Sequence, residues 1–408
     1  MVLLLFFFIW PFGAWLYAVS KIRLRSSYVI FFLFSLLICW HMAPTGYTDF
    51  YDDFLGIKDQ FDASATTSSE MRTMVVDFFT LSEDAPKEIY RLLLEWFVKL
   101  FTDNYHFYFL LCSIPVTLCM LPMVRRFTSD SRFKVSFIGL LTVAMFVFPR
   151  DIFTVQNARF ATGLWVCLTF TILYYCNGRK WIYILPVLFS PVFHSGMWPY
   201  VALFVIALFI PRYRRGIEIV ALCSIPFIFF DADLMSNFNV SILPPGIRAW
   251  VERGLSEEKY NKFILHEGRS GFWWVTAAFS YMMRVAYIIM TYLLIKKREY
   301  VEQNEEARNL YVFYLLLFAF VNFIQFVPIL GERYYWFLRM FCVFMFFKAF
   351  YCVLPAYKKV LMFLLVACSW GILQRYGYVL NGALSVHTSI DLFYAPLPYL
   401  IGKGLFWS

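Results

Sequence analysis

Apolar residues run through this chain in long stretches separated by short connections rich in Lys and Arg. Stretches that could cross a bilayer, or nearly so, read as Val2 to Ser20, Tyr28 to Ala43, Tyr105 to Val124, Val135 to Pro149, Arg159 to Cys176, Ile217 to Phe230, Phe272 to Ile295, Leu310 to Leu330, Tyr334 to Leu354 and Val360 to Tyr378, with a longer one from Trp181 to Ile210. Backbone groups in hydrocarbon must pair within their own segment, so each stretch is expected to be helical.

Basic clusters at Lys21/Arg23/Arg25, Arg125/Arg126/Arg132/Lys134, Arg179/Lys180, Arg212/Arg214/Arg215, Lys296/Lys297/Arg298/Arg308 and Lys358/Lys359 hold eighteen of the thirty-six Lys and Arg residues. The positive-inside rule places all six in the cytoplasm and the N-terminus outside. This requires the thirty residues from Trp181 to Ile210 to form a hairpin, because a single crossing would separate two inside clusters. Pro191, His194, Ser195, Gly196 and Pro199 supply the breakers for its turn. Each arm would be roughly 21 Å long against a hydrocarbon core of about 30 Å, so His194 is expected in the outer leaflet or in a cavity opening outward. The fold class is therefore all-α: a polytopic integral membrane protein of about twelve transmembrane helices, a single membrane domain over residues 1–408 with a short broken hairpin and both ends outside.

Two long loops face out. The first, residues 44–104, carries twelve Asp and Glu against five Lys and Arg, with an amphipathic stretch from Pro86 to Phe101 (Ile89, Leu92, Leu93, Trp96, Phe97, Leu100) suited to the interface. The second, residues 231–271, contains Pro244-Pro245-Gly246.

Composition agrees. With 61% hydrophobic and 15% charged residues over 408 positions, and a mean hydropathy of +0.64, the chain cannot hide its apolar surface in a water-soluble fold. A soluble enzyme, a nucleic-acid binder and a disordered scaffold are excluded. All nine cysteines fall in apolar spans, so neither disulfides nor CxxC chemistry is expected. The opening helix lacks a charged n-region and reads as a retained span. No GxxxxGK[ST], GxGxxG or HExxH occurs, which argues against ATP hydrolysis, dinucleotide redox chemistry and zincin proteolysis.

Polar residues at membrane depth carry the chemistry, because a charge there needs a partner or a water-filled cavity. Arg159 opens a helix in the outer half of the bundle, where it could clamp a phosphate bidentately or pair with Asp151. Arg284 lies near the middle of its span, and Arg333 and Arg339 flank Tyr334-Tyr335-Trp336 at an outer helix end. Together they make a plausible diphosphate site; singly, each could be an interfacial anchor. His194, followed by Ser195 and Gly196 at a helix break, could donate to phosphate, act as a general base, or merely cap broken backbone. Asp49, Asp52 and Asp53 could accept a sugar hydroxyl proton or bind a divalent ion, although acidic-loop carboxylates are more often simply solvated. No histidines stand at i,i+4 spacing, so no zinc site is expected, nor any cofactor.

Three segments in order resemble the EpsG family, a branch of the Wzy-like O-antigen and exopolysaccharide polymerases: Gly46-Tyr47-Thr48-Asp49-Phe50-Tyr51, the stretch Gln156 to Gly163, and Val192-Phe193-His194-Ser195. The family usually shows a Gly-x-Asp-aromatic element, an Arg-Gln-x-x-Ala element and a His-containing break; Phe160 here stands where Gln is usual. The resemblance implies a membrane-embedded glycosyltransferase of the bacterial cytoplasmic membrane with its active site outward. It would transfer a glycan from undecaprenyl diphosphate to the non-reducing-end hydroxyl of a lipid-linked repeat unit. Asp49 and His194 would be catalytic, with Asp52, Asp53 and Ser195 as secondary candidates, and Arg159, Arg284, Arg333 and Arg339 would hold the lipid diphosphate. The implied partners are undecaprenyl-diphosphate-linked oligosaccharide and the bilayer, with a chain-length regulator and a flippase as further candidates and no nucleic acid. Competing readings are a lipid-linked oligosaccharide flippase, which should show two related halves and short outer loops, and a membrane O-acyltransferase, which needs a site reachable from a cytoplasmic acyl donor.

Overall fold

The computed structural model describes residues 2–42, 61–62, 67–80, 86, 89–153, 158–210, 215–229, 273–325, 328–378, 384 and 386–406. Among them every regular element is helical. The α-helices are α1 Val2–Ile9, α2 Pro11–Ser20, α3 Arg25–Trp40, α4 Ser68–Thr80, α5 Tyr90–Lys99, α6 Tyr105–Thr128, α7 Phe137–Val147, α8 Ala158–Cys176, α9 Ile184–Phe189, α10 Trp198–Phe209, α11 Arg215–Cys223, α12 Trp273–Lys296, α13 Arg298–Gln303, α14 Glu305–Phe323, α15 Pro328–Phe350, α16 Tyr357–Tyr378, α17 Val386–Tyr394 and α18 Leu397–Phe406. Four of them (α6, α8, α12 and α16) are long and apolar enough to cross a membrane, and shorter apolar helices cover Arg25–Trp40, Phe137–Arg150, Trp181–Val192 and Ser195–Phe209.

Each apolar stretch holds helix, but several are divided, Leu310 to Leu330 among them, since α14 ends at Phe323 and α15 begins at Pro328. Val2 to Ser20 breaks at Trp10, because Pro11 occupies the first position of α2 and cannot donate back to the preceding turn. The Trp10 indole folds over Gly13, where any Cβ would stand 2.1 Å from the ring, and its Nε1–H donates to the Phe393 carbonyl of α17 at 2.7 Å. Ile217 to Phe230 divides into α11 and a 3-10 segment, Ile225–Phe229. The Trp181 to Ile210 stretch breaks where expected: after α9 come 3-10 turns Ser190–Val192 and Ser195–Met197, and then α10. Helices α17 and α18 form from residues assigned to no span.

The helices gather into two compact units: residues 1–143, 150–201 and 374–408, and residues 144–149 and 202–373. In the first, α6 is the hub, packed on α3 and α8, while α5 packs on α6 and α8. Asn104 starts α6 by accepting the His106 backbone N–H on its side chain at 2.9 Å. In the second, α14 and α15 are buried along most of their lengths and pack on each other, with α11 against α14 and α12 against α15. A helix enclosed on all sides is apolar all round. That accounts for Phe337, Phe341, Phe344, Phe347 and Phe350 in one helix, and makes the charges of Arg339 and Lys348 exceptional.

Candidate functional site

In the first unit, sequence-distant polar groups meet at the N-terminal half of α8. Arg159 lies in its first turn, half-buried. Packed on α8 is α5, the amphipathic helix of the first loop. It buries Val98 and, just before the helix, Ile89, leaves Phe97 exposed, and encloses Glu95, which is only 3% exposed. Arg91 Nε stands 3.0 Å from Glu95 Oε1 one turn earlier, and the Arg159 charge also acts on this carboxylate. Burial pushes the Glu95 carboxyl above its usual range and the two guanidiniums only partly oppose it. The Tyr90 hydroxyl reaches Thr162 Oγ1 of α8 at 3.5 Å, and its ring meets Phe193 edge-on at 5.0 Å. Sequence reasoning missed Glu95. A carboxylate beside Leu92, Leu93 and Trp96 on a short helix was its only local signal.

His194 sits at the break between α9 and α10, 8% exposed. Its Nδ1 accepts the Gly196 backbone N–H at 2.8 Å and so caps the following 3-10 turn. A Cβ on Gly196 would stand 2.8 Å from that same nitrogen, which explains the glycine. With Nδ1 accepting, the neutral ring carries its proton on Nε2 and presents a donor there. Phe160 meets His194 edge to face at 5.4 Å and lies under the Arg150 guanidinium, also at 5.4 Å. Trp165 Nε1 donates to the Arg150 carbonyl at 2.8 Å. Asp151, the alternative partner considered for Arg159, accepts the Phe153 N–H at 3.1 Å. Ser195 opens the capped turn.

In the second unit, Arg284 and Arg339 converge on Tyr335, whose hydroxyl feels both charges. Arg284 of α12 donates through Nη1 to the Ile228 carbonyl at 3.0 Å and helps line a cleft with Tyr287, Asn322, Gln325 and Tyr335. Arg339 of α15 is 7% exposed, with its guanidinium over Phe148 at 5.7 Å and Tyr335 at 5.9 Å. Its Nη2 approaches Cys368 Sγ at 3.8 Å. Among the described residues, no carboxylate pairs with either arginine, and Nε of each and the Tyr335 hydroxyl are buried without a hydrogen-bond partner. Buried donors in this state suit an incoming anion.

Arg333 lies about one and two-thirds turns before Arg339 in the same helix. Because α15 begins at Pro328, both arginines lie inside one helix, not at a loop. Six residues at about 100° each put Arg333 on a different face from Arg339. Asp49, Asp52 and Asp53, and the second loop at 231–271, lie outside the described residues.

The EpsG family model matches residues 25–386, nearly the whole chain. The chain belongs to the EpsG family. No curated protein and no solved structure matches it. Membership suggests a polysaccharide-polymerase-like role at a membrane. A Cβ at Gly163 would come within 3.0 Å of Met197 Cγ, so the 3-10 turn Ser195–Met197 lies tightly against α8 at this point.

Proposed function

We propose that this chain is a polysaccharide polymerase of the bacterial cytoplasmic membrane, working at its outer face. It would transfer a glycan from undecaprenyl diphosphate to the non-reducing-end hydroxyl of a lipid-linked repeat unit. EpsG membership across residues 25–386 carries the reading. The arginines give it chemistry. As the bond between the sugar C1 and the diphosphate oxygen breaks, negative charge develops on the lipid diphosphate, and fixed guanidiniums can stabilise it without a metal. Arg159 in the first unit or, as an alternative, Arg284 and Arg339 in the second are the proposed holders, with Arg333, on another face of α15, the weaker candidate. The new bond joins C1 to the acceptor oxygen, whose proton passes to a base, and Asp49 is the proposed acceptor. His194, its Nδ1 held by Gly196, is best suited to donate from Nε2 to a phosphate or sugar oxygen. Asp52, Asp53 and Ser195 remain secondary candidates.

The test is a glycan gel from cells carrying Arg159→Ala or Asp49→Asn, each first shown to accumulate in the membrane. Loss of the long-chain ladder with build-up of single lipid-linked repeat units is expected. A normal ladder from a deletion strain would overturn the polymerase reading.

A further inference from the structure

Five polar side chains line the cleft of the second unit: Arg284, Tyr287, Asn322, Gln325 and Tyr335. Two of them turn their amide nitrogens into the protein. Asn322 Nδ2 donates to Ser224 Oγ at 2.8 Å, and Gln325 Nε2 donates to the Gly331 carbonyl at 3.1 Å. Arg284 spends Nη1 on the Ile228 carbonyl. Two other donors, Arg284 Nε and the Tyr335 hydroxyl, are buried with no hydrogen-bond partner among the described residues. A buried hydroxyl in this state lowers stability, and phenylalanine would fill nearly the same volume without that cost. The Tyr335 hydroxyl therefore does nothing for the empty fold.

Its ring is nonetheless held from two sides. Tyr287 meets it edge to face, with centroids 5.7 Å apart and planes at 87°, and the Arg339 guanidinium lies over it, 5.9 Å from the centroid. A cation over the ring draws electron density from the phenol and strengthens its O–H as a donor. The free space of the cleft is about 10 Å³, which admits one oxygen-sized group and not a sugar ring. Both unpartnered groups are donors, one of them on a cation, and together they complement an anionic oxygen.

We propose that Tyr335 is a ligand-contact residue: its hydroxyl, beside Arg284 Nε, donates to one oxygen of the lipid diphosphate. This rests on the polymerase reading given above, with the diphosphate held in the second unit. As the bond between the sugar C1 and the diphosphate oxygen breaks, its electron pair stays on that oxygen and the diphosphate gains charge. Tyr335 keeps its proton and lends only a hydrogen bond. That bond is stronger to the charged leaving group than to the intact substrate, so it lowers the barrier as well as contributing to binding.

The experiment uses the full-length protein, wild type and Tyr335→Phe, because phenylalanine keeps the ring contacts with Tyr287 and Arg339 and removes the hydroxyl alone. Unfolding temperatures are measured in detergent with inorganic pyrophosphate and with sodium chloride at matched ionic strength, and polymer is read in cells on a glycan gel. Without pyrophosphate, Tyr335→Phe is expected to unfold at a temperature equal to or above wild type. Pyrophosphate should raise the wild-type value saturably. The variant should need at least about tenfold more of it for the same rise, as the loss of one hydrogen bond to a charged acceptor predicts, and its polymer formation should fall at least as far. A lowered unfolding temperature without pyrophosphate would make the hydroxyl a structural tie, through a trapped water, and overturn the inference. Equal protection of the two proteins, or no protection of wild type beyond the chloride control, would overturn it as well. If wild type polymerises and pyrophosphate protects both proteins equally, only this inference fails. If wild type makes no polymer, the polymerase reading fails, whereas protection that depends on Tyr335 would still assign the cleft to an anion.

Discussion

The rings of Phe160 and His194 meet edge to face, with centroids 5.4 Å apart and planes at 89°. Phe160 thus touches the imidazole and also carries the Arg150 guanidinium over its ring. Edge-to-face and cation–π contacts are each worth about 0.5–1.5 kcal/mol beyond area burial. Phe160→Leu keeps most of the apolar volume and loses both. It should destabilise the purified protein by about 1–2 kcal/mol in thermal or denaturant unfolding, and an unchanged midpoint would show that neither contact contributes.

At His194 the capping role and any ligand role reside on different nitrogens, so they can be separated by substitution. Asn can accept the Gly196 N–H as a cap, whereas Ala cannot. His194→Ala should therefore lose about 1 kcal/mol of stability, and His194→Asn much less, while both lose the polymer ladder. A normal ladder from His194→Asn would reduce the histidine to its cap.

Gly163 gives a test of how closely the hairpin lies against α8. Alanine in a helix interior gains up to about 1 kcal/mol over glycine. The new Cβ must push Met197, whose Cγ would be 3.0 Å away and whose side chain is flexible. Gly163→Ala should thus change stability by less than about 1 kcal/mol, whereas Gly163→Ile, with far more volume against the same methionine, should destabilise by about 1–3 kcal/mol. Equal unfolding midpoints for the two variants would mean that the turn is looser than it looks.

The features legible in the sequence were those with local causes. Apolar runs gave the helices, and Pro191, Ser195 and Gly196 marked the hairpin break, because each acts on its own backbone. The amphipathic period from Pro86 to Phe101 gave α5. Which face of α5 turns inward is set by its packing on α6 and α8, helices that follow it in the chain, and so the burial of Glu95 was invisible to any pattern along α5. Likewise, apolar runs did not reveal that Arg284 and Arg339 meet at Tyr335, since that depends on how α12 packs on α15. The split at Trp10 and Pro11 was a local signal passed over in favour of a long apolar run.

Arg339 offers the sharpest separation of function from stability in the second unit. Its guanidinium is buried among Phe148, Tyr335 and Cys368, and no described carboxylate balances its charge. Removing a cation from water without a counter-charge costs stability, and exchanging buried charged groups for an apolar side chain of similar volume is often neutral or stabilising, by about 1–4 kcal/mol in the cases measured. Arg339→Met should accordingly fold and insert normally, unfold at a temperature equal to or above wild type, and make no long-chain polymer. Arg339→Lys keeps the charge without the planar fork and should also lose most of the ladder, because a diphosphate is best gripped by paired N–H groups. Were Arg339→Met instead to fall apart in detergent, the arginine would be a structural tie for Tyr335 and Cys368. A stable Arg339→Met with a full ladder would remove it from the diphosphate site and leave Arg284 as the second unit's cation there.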